Sequence, residues 1–91
     1  MAKEQRYMSE LLDELGNVVD FERWPCKRAS TVIKKVYELY TYPIYRKDLK
    51  KGTLGVVIYP TKPNGERCGI NVARIPTAEL YDNKSRPHAG T

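Results

Sequence analysis

The sequence predicts an α+β fold in which N-terminal helices are followed by a β-hairpin. Apolar residues recur at helical spacing near the N-terminus and again between residues 32 and 40, and two runs rich in β-branched residues flank an Asn-Gly pair. The length of 91 residues suits one domain. We predict that residues 1–80 form this domain and that residues 81–91 are a flexible polar tail.

Four apolar residues near the N-terminus indicate the first helix. They occur at positions i, i+3, i+4 and i+7, which share one face of a helix. They are Met8, Leu11, Leu12 and Leu15. Gly16 follows, and helices often end in a glycine that adopts a positive φ. The spacing therefore predicts a helix over about residues 3–15 with its apolar face in the core.

A short helix over residues 20–24 and a longer one over 29–41 complete the predicted helical part. Pro25 ends the first helix, because the residue before a proline avoids helical angles. Ser30 or Thr31 is a suitable cap near the start of the second. The apolar face of this helix consists of Val32, Ile33, Val36, Leu39 and Tyr40.

The second half of the domain is predicted to be a β-hairpin over residues 54–75. Its turn is Asn64-Gly65, because these residue types accept the positive φ of a tight hairpin turn. The apolar strands on either side are residues 54–60 and 68–76. The basic residues beside the turn are Lys62 and Arg67. The stretch "TAELY" after the hairpin predicts one turn of helix.

This order of elements resembles that of a winged helix-turn-helix domain. The short helix, the helix "ASTVIKKVYEL" and the hairpin with a basic loop carry the resemblance, which covers residues 8–76. It implies that the helix opening at Ser30 and Thr31 reads DNA with its outward lysines and that the hairpin is the wing. Two departures are the shortness of the helix over 20–24 and the length of the 40–53 connection.

Positive charge is concentrated after residue 22. Residues 1–22 carry two basic and six acidic residues, a net charge of −4, whereas residues 23–91 carry 14 basic and five acidic residues, a net charge of +9. Such asymmetry is typical of a body that binds an anionic partner. The alternative interpretation is that the acidic first segment packs against the basic body and balances it.

Basic side chains in three segments, with two nearby tyrosines, form the predicted site. If folding brings these segments to one side, they bind phosphates and release counterions, while the tyrosines stack on unpaired bases. The predicted nucleic-acid-binding residues are Lys27, Arg28, Ser30, Thr31, Lys34, Lys35, Tyr42, Tyr45, Arg46, Lys47, Lys50, Lys51, Lys62 and Arg67. The sequence therefore predicts a small basic non-catalytic protein that binds DNA or RNA.

Protein binding is the alternative hypothesis. Tyrosine and arginine are enriched at binding hot spots, and a small charge-polarised domain is typical of an inhibitor or accessory factor, such as a virus- or phage-type antagonist of a host protein complex. A homodimer formed through an exposed strand of the hairpin is a further option. Lysine-rich connectors are also often merely solvated, and the sequence alone does not decide among these.

Catalysis, a metal site, a cofactor and membrane binding are not predicted. The single histidine, His88, lies in the polar tail, and Cys26 and Cys68 have no C-x-x-C spacing. We expect both cysteines to be reduced, although the sequence does not show whether they are close. No apolar run reaches the length of a membrane span, and the N-terminus has no apolar signal region. These features predict a cytoplasmic protein.

Overall fold

A four-stranded antiparallel sheet organises the protein, and its strand order is β2-β1-β3-β4. The computed structural model describes residues 6–83. The elements are β1 Tyr7–Leu12, β2 Val18–Trp24, α1 Ala29–Leu39, α2 Pro43–Arg46, a 3-10 helix Lys47–Lys50, β3 Gly55–Pro60, β4 Ala73–Ile75 and α3 Thr77–Asn83. The N-terminal strand β1 therefore lies in the centre of the sheet, between β2 and β3.

The N-terminal helix predicted over residues 3–15 is wrong, because the described part of this segment is strand β1 and a turn. The apolar residues whose spacing suggests one helix face lie in different environments. Leu11 is fully buried, whereas Leu15 is 82% exposed in the turn to β2. Gly16 has a φ of 86°, but it serves this hairpin turn and does not end a helix.

The short helix predicted over residues 20–24 is also wrong, because this segment is strand β2. Its side chains alternate between the two faces of the sheet, which is the period of a strand. Trp24 and Glu22 pair with residues whose side chains face the helices, whereas Arg23 and Phe21 pair with residues on the opposite face. Pro25 follows the strand and ends it.

The predicted fold class, with N-terminal helices before a hairpin, is therefore wrong, and with it the winged-helix arrangement. A winged helix needs helices in the two segments that form β1 and β2 here. In place of an isolated wing, β3 pairs with β1 on one side and β4 on the other, so the predicted hairpin is half of a larger sheet. The observed order is two strands, then helices, then two strands and a final helix.

The elements with strong local signals are confirmed. The helix predicted over 29–41 is α1, and the strand predicted over 54–60 is β3. Gly65 adopts a φ of 96° in the predicted turn. The strand predicted over 68–76 is confirmed only at β4, and the residues before it leave the regular ladder. Helix α3 extends the predicted turn of helix as far as residue 83, and residues 84–91 of the predicted tail lie outside the described residues.

One face of the sheet carries the core and is covered by the helices. The core residues of β1, β3 and β4 alternate along their strands with residues of the opposite face, and the buried side chains of α1, the 3-10 helix and α3 pack against them. The core consists of Leu11, Val32, Val36, Tyr40, Leu49, Val56, Ile58, Ile75 and Leu80. We call the covered side the inner face and the opposite side the outer face.

The start of β3 requires a glycine. Gly55 has a φ of 119°, and a Cβ atom there would collide with the carbonyl oxygen of Ile75 on β4. The backbones of these strands are therefore closer than any other residue type permits. Gly16 shares the positive φ, but a Cβ atom there would have no heavy atom within 4 Å.

Gly55→Ala is expected to lower the free energy of unfolding by about 3 kcal/mol, since it adds a backbone clash to the strain of a positive φ. Gly16→Ala is the matched control and is expected to lower it by only about 1 kcal/mol, because it adds the strain alone. Urea unfolding followed by circular dichroism measures both. Equal decreases in the two variants would show that the close approach of Gly55 to Ile75 is unimportant.

Candidate nucleic-acid interface

The first predicted basic segment lies at the start and on the solvent side of α1. Val32 and Val36 are fully buried on the inner side of this helix. Lys34 lies two positions from each valine, which places it on the opposite side of the helix, and Lys35 lies one position from Val36, on the flank. The exposed polar residues of this segment are Lys27, Arg28, Ser30, Thr31, Lys34 and Lys35.

The second basic segment is the 3-10 helix that follows α2. Leu49 is buried in the core and fixes this short helix on the inner side of the sheet. The lysines around it are exposed, and they are Lys47, Lys50 and Lys51. Tyr42, at the start of α2, is 59% exposed, whereas Tyr45 is half-buried and packs against the core. Tyr42 is thus the better placed of the two for stacking.

The predicted binding residue Arg46 makes hydrogen bonds within the protein. Its guanidinium donates hydrogen bonds to the carbonyl oxygens of Tyr40 at 3.2 Å, Leu80 at 3.1 Å and Tyr81 at 2.8 Å. It also lies 4.9 Å from the centre of the Tyr81 ring. These interactions tie the end of α1 to α3, so most of the donors of Arg46 are already used within the protein.

The two cations of the third basic segment lie in different places. Lys62 forms a salt bridge of 3.6 Å with Glu66 at the exposed tip between β3 and β4. Arg67 pairs with Thr61, and its guanidinium lies 4.3 Å from the centre of the Tyr59 ring. Tyr59 is adjacent to Ile58 of the core, so it points to the outer face, and Arg67 lies there too.

The third predicted basic segment is therefore separate from the first two, which lie on the same side of the sheet. Both lie in the helical layer, and none of their seven cations forms a salt bridge with a carboxylate within residues 6–83. We call this group the helical-layer cations. They are Lys27, Arg28, Lys34, Lys35, Lys47, Lys50 and Lys51.

The outer face carries residues that the sequence prediction missed. Directly paired residues of an antiparallel sheet point to the same side, so the register assigns the side chains of this face. One row across the sheet is Arg23, Met8 and Tyr59. The next row is Phe21, Glu10, Val57 and Arg74. With Arg67 beside Tyr59, three arginines and two aromatic rings share this face.

Each aromatic ring of the outer face has an arginine beside it. The guanidinium of Arg23 lies 5.2 Å from the centre of the Phe21 ring, and Arg67 packs against Tyr59 in the same way. The Tyr59 hydroxyl donates a hydrogen bond of 2.8 Å to Glu10. Burial, together with this hydrogen bond, raises the pKa of Tyr59 to about 12. Tyr59 is therefore a neutral donor at physiological pH.

A strand interpretation of residues 18–24 would have revealed part of this face. The alternation of Phe21 and Arg23 with Asp20 and Glu22 has a period of two, but polar residues occur on both sides. Hydrophobic alternation is consequently weak. The place of Arg74 and Arg67 on the same face depends on their register with β3, which the predicted hairpin turn does not fix by itself.

Three carboxylates lie near Tyr40 on the inner side. Burial raises the pKa of Asp20, and the negative charge of Asp48 adds to the effect. Burial also raises the pKa of Glu22, with a further contribution from Asp20. The pKa of Tyr40 is raised well above its ordinary value, first by burial and then by these carboxylates. This cluster is electrostatically unfavourable when fully ionised.

Within residues 6–83, no group of three His, Cys, Asp or Glu side chains is placed to hold a metal ion. Over the same range, no helix has both the length and the apolar composition that a membrane crossing requires. Cys26 and Cys68 are both free thiols. Comparison with protein families, curated proteins and solved structures finds no match to this chain.

Arg46→Ala is expected to lower the free energy of unfolding by about 2–3 kcal/mol, because it removes charged hydrogen bonds to three carbonyl groups. Hydrogen exchange should also accelerate in α3. Lys47→Ala removes an exposed neighbouring cation and is the control, with a change near zero. If both variants unfold at the same urea concentration as the unmodified protein, Arg46 does not hold α3 in place.

Asp20→Asn is expected to raise the free energy of unfolding at pH 7 by roughly 0.5 kcal/mol, since solvent screens a half-buried charge. A carboxyl with a raised pKa binds more protons in the folded state, so its ionisation lowers stability as pH rises above its ordinary pKa of 3.8. The gain should disappear below that pH.

Asp13→Asn is the control, and its effect on the free energy of unfolding should have the opposite sign. Both variants are measured by urea unfolding in the same pH series. Hydrogen bonds from the backbone of Asn17 and Leu15 lower the pKa of Asp13, so its ionised form stabilises the turn. The variant should be less stable at pH 7, and the difference should vanish as pH falls. If both variants change stability in the same direction at pH 7, the environments of the two carboxylates are wrongly assigned.

Proposed function

We propose that this chain is a small non-catalytic protein of the cytoplasm that binds DNA or RNA. The observation that carries the proposal is the group of seven helical-layer cations, all on the inner side of the sheet and none neutralised by a carboxylate within residues 6–83. When such a surface binds the phosphate groups of a nucleic acid, condensed counterions are released into solution. The entropy of this release favours binding of polyanions at low salt.

Local geometry supports binding through α1. Lys34 and Lys35 are adjacent on the exposed side of a helix whose opposite side is anchored in the core. Thr31 lies one helical turn before them and offers a hydroxyl to phosphate or base edges. A rigid helix holds these groups with less loss of conformational entropy on binding than a loop does. The free thiols of Cys26 and Cys68 suit a reducing compartment.

Protein binding is the second candidate function, and one surface feature favours it. Tyr42 and Ile44 are 59% and 63% exposed on either side of Pro43. An exposed aromatic and a branched apolar residue on a short helix are typical anchors for a protein partner. If this function is correct, Ile44→Ala weakens a nuclease-resistant complex and leaves nucleic-acid binding unchanged.

Lys34→Glu combined with Lys35→Glu is expected to weaken binding of duplex DNA and RNA by at least tenfold at about 50 mM salt. The plot of log affinity against log salt concentration should also become less steep, by about 0.9 for each phosphate group that the variant no longer neutralises. Fluorescence anisotropy with labelled oligonucleotides measures both quantities.

The matched control compares single variants with equal changes of net charge. Lys34→Glu should weaken binding more than Lys62→Glu, because Lys62 is paired with Glu66 at the far tip. Equal effects would indicate attraction by net charge alone and no specific binding at α1. If the unmodified protein binds neither DNA nor RNA at low salt, the proposed function is wrong.

A further inference from the structure

The outer face is an aromatic and cationic surface that the helices leave uncovered. The buried side chains of α1, the 3-10 helix and α3 all join the core on the inner face. On the outer face, Phe21 is 47% exposed in the second strand of the sheet. A large ring held on a rigid strand is available to a ligand, and a ligand that covers it removes apolar surface from water.

Two flat groups lie on this face at a separation that suits two ligand rings. Phe21 and Tyr59 are separated by two strand spacings across the sheet and by two residues along the strands. This register corresponds to about 12 Å between their Cα atoms. Tyr59 itself is buried beneath the guanidinium of Arg67, so the guanidinium is the surface that a ligand meets. Phe21 and Arg67 therefore form two platforms, because bases stack on aromatic rings and on arginine planes alike.

The charges of the face select an anion. Arg23, Arg67 and Arg74 lie in or beside the two rows, and none has a salt bridge with a carboxylate within residues 6–83. The single carboxylate in the rows is Glu10, which accepts the hydrogen bond of Tyr59. Arg67 already donates hydrogen bonds to the Gly69 carbonyl oxygen and to Asn71 Oδ1. Arg23 and Arg74 are therefore the arginines that offer donors to phosphate groups next to the stacking positions.

We propose that the outer face binds single-stranded nucleic acid, with one unpaired base on Phe21 and a second on Arg67. This inference rests on the proposed function and adds a second surface with a different ligand preference from that of the helical-layer cations. A duplex presents phosphates but keeps its bases stacked inside, so it gains nothing from Phe21. A single strand offers bases and phosphates to the same face.

Removal of the negative charge of Glu10 should change the affinity for single strands, which a purely structural role of this face would not explain. The Glu10 carboxylate lies between Phe21 and Val57 in the second row and repels a phosphate backbone that crosses the sheet. Glu10→Gln keeps an acceptor for the Tyr59 hydroxyl but removes the charge. The affinity for single strands should therefore increase, roughly twofold or more.

The test measures binding of a labelled single strand of about 12 nucleotides, as DNA and as RNA, and of the same sequence as a duplex. Phe21→Ala should weaken binding of the single strands about fivefold or more, because it removes one stacking platform, and should leave duplex binding unchanged. Lys34→Glu should weaken both. Val18→Ala is the matched control, since Val18 is an equally exposed apolar residue of the same face and strand.

Phe21→Trp adds a direct readout. Single strands should quench the fluorescence of the new indole, whereas Trp24 points to the inner face and donates a hydrogen bond to Ser9, so it provides a background signal that stays constant. Glu14→Gln, in the exposed turn, is the charge-matched control for Glu10→Gln. The two glutamine variants should differ in affinity if the position of the charge matters.

The outcomes separate the two proposals. Failure of the unmodified protein to bind any nucleic acid overturns the proposed function and this inference with it. If Phe21→Ala leaves the affinity for duplexes and the affinity for single strands unchanged, only the inference is overturned. Loss of a nuclease-resistant complex with a purified protein in Phe21→Ala, with nucleic-acid binding intact, would identify the face as a protein-binding surface and also overturn the inference.

Discussion

The register between β1 and β3 determines which side chains the helices cover. Leu11 pairs with Val56, and Ser9 pairs with Ile58, so the inner face of the central strands presents small and branched residues to α1. A slip of one residue would move Leu11 to the outer face and bring Glu10 into the core. Leu11 packs so closely on Gly52 that a Cβ atom at residue 52 would collide with it, and a slip would leave this filled space empty at a cost in stability. The helical-layer cations and the outer face both owe their positions to this register.

The sequence predicts the elements that are formed by local interactions. Helix α1 has a complete apolar face within 12 residues of chain, and β3 is a short apolar run next to a turn with a clear glycine signal. β1 and β2 lack such a signal, because Met8, Leu11 and Leu12 fit one helix face as well as two faces of a strand. Their conformation depends on pairing with residues that are distant in sequence, and local patterns carry no information about that pairing.

The same distinction holds for the candidate site. The exposure of Lys34 and Lys35 follows from the helix period, so a sequence interpretation places them correctly on the solvent side. The roles of Arg46 and Arg67 do not follow from local sequence. The Arg46 guanidinium is bound to carbonyl groups up to 35 residues away, and that of Arg67 packs against the Tyr59 ring of the neighbouring strand and donates to Gly69 and Asn71. Basic residues that look equivalent in the sequence therefore differ in how much of their charge is available to a ligand.

Strand β2 forms one border of the sheet, and its hydrogen-bonding groups on that side have no neighbouring strand within residues 6–83. Such a border is a template for unwanted growth of the sheet. Asp20 and Glu22 lie along it on the inner side, and a second copy of β2 in antiparallel alignment would bring like charges together. The carboxylates that repel one another near Tyr40 thus oppose antiparallel addition of a second β2 strand at this border, while a foreign strand with basic side chains would meet no such repulsion.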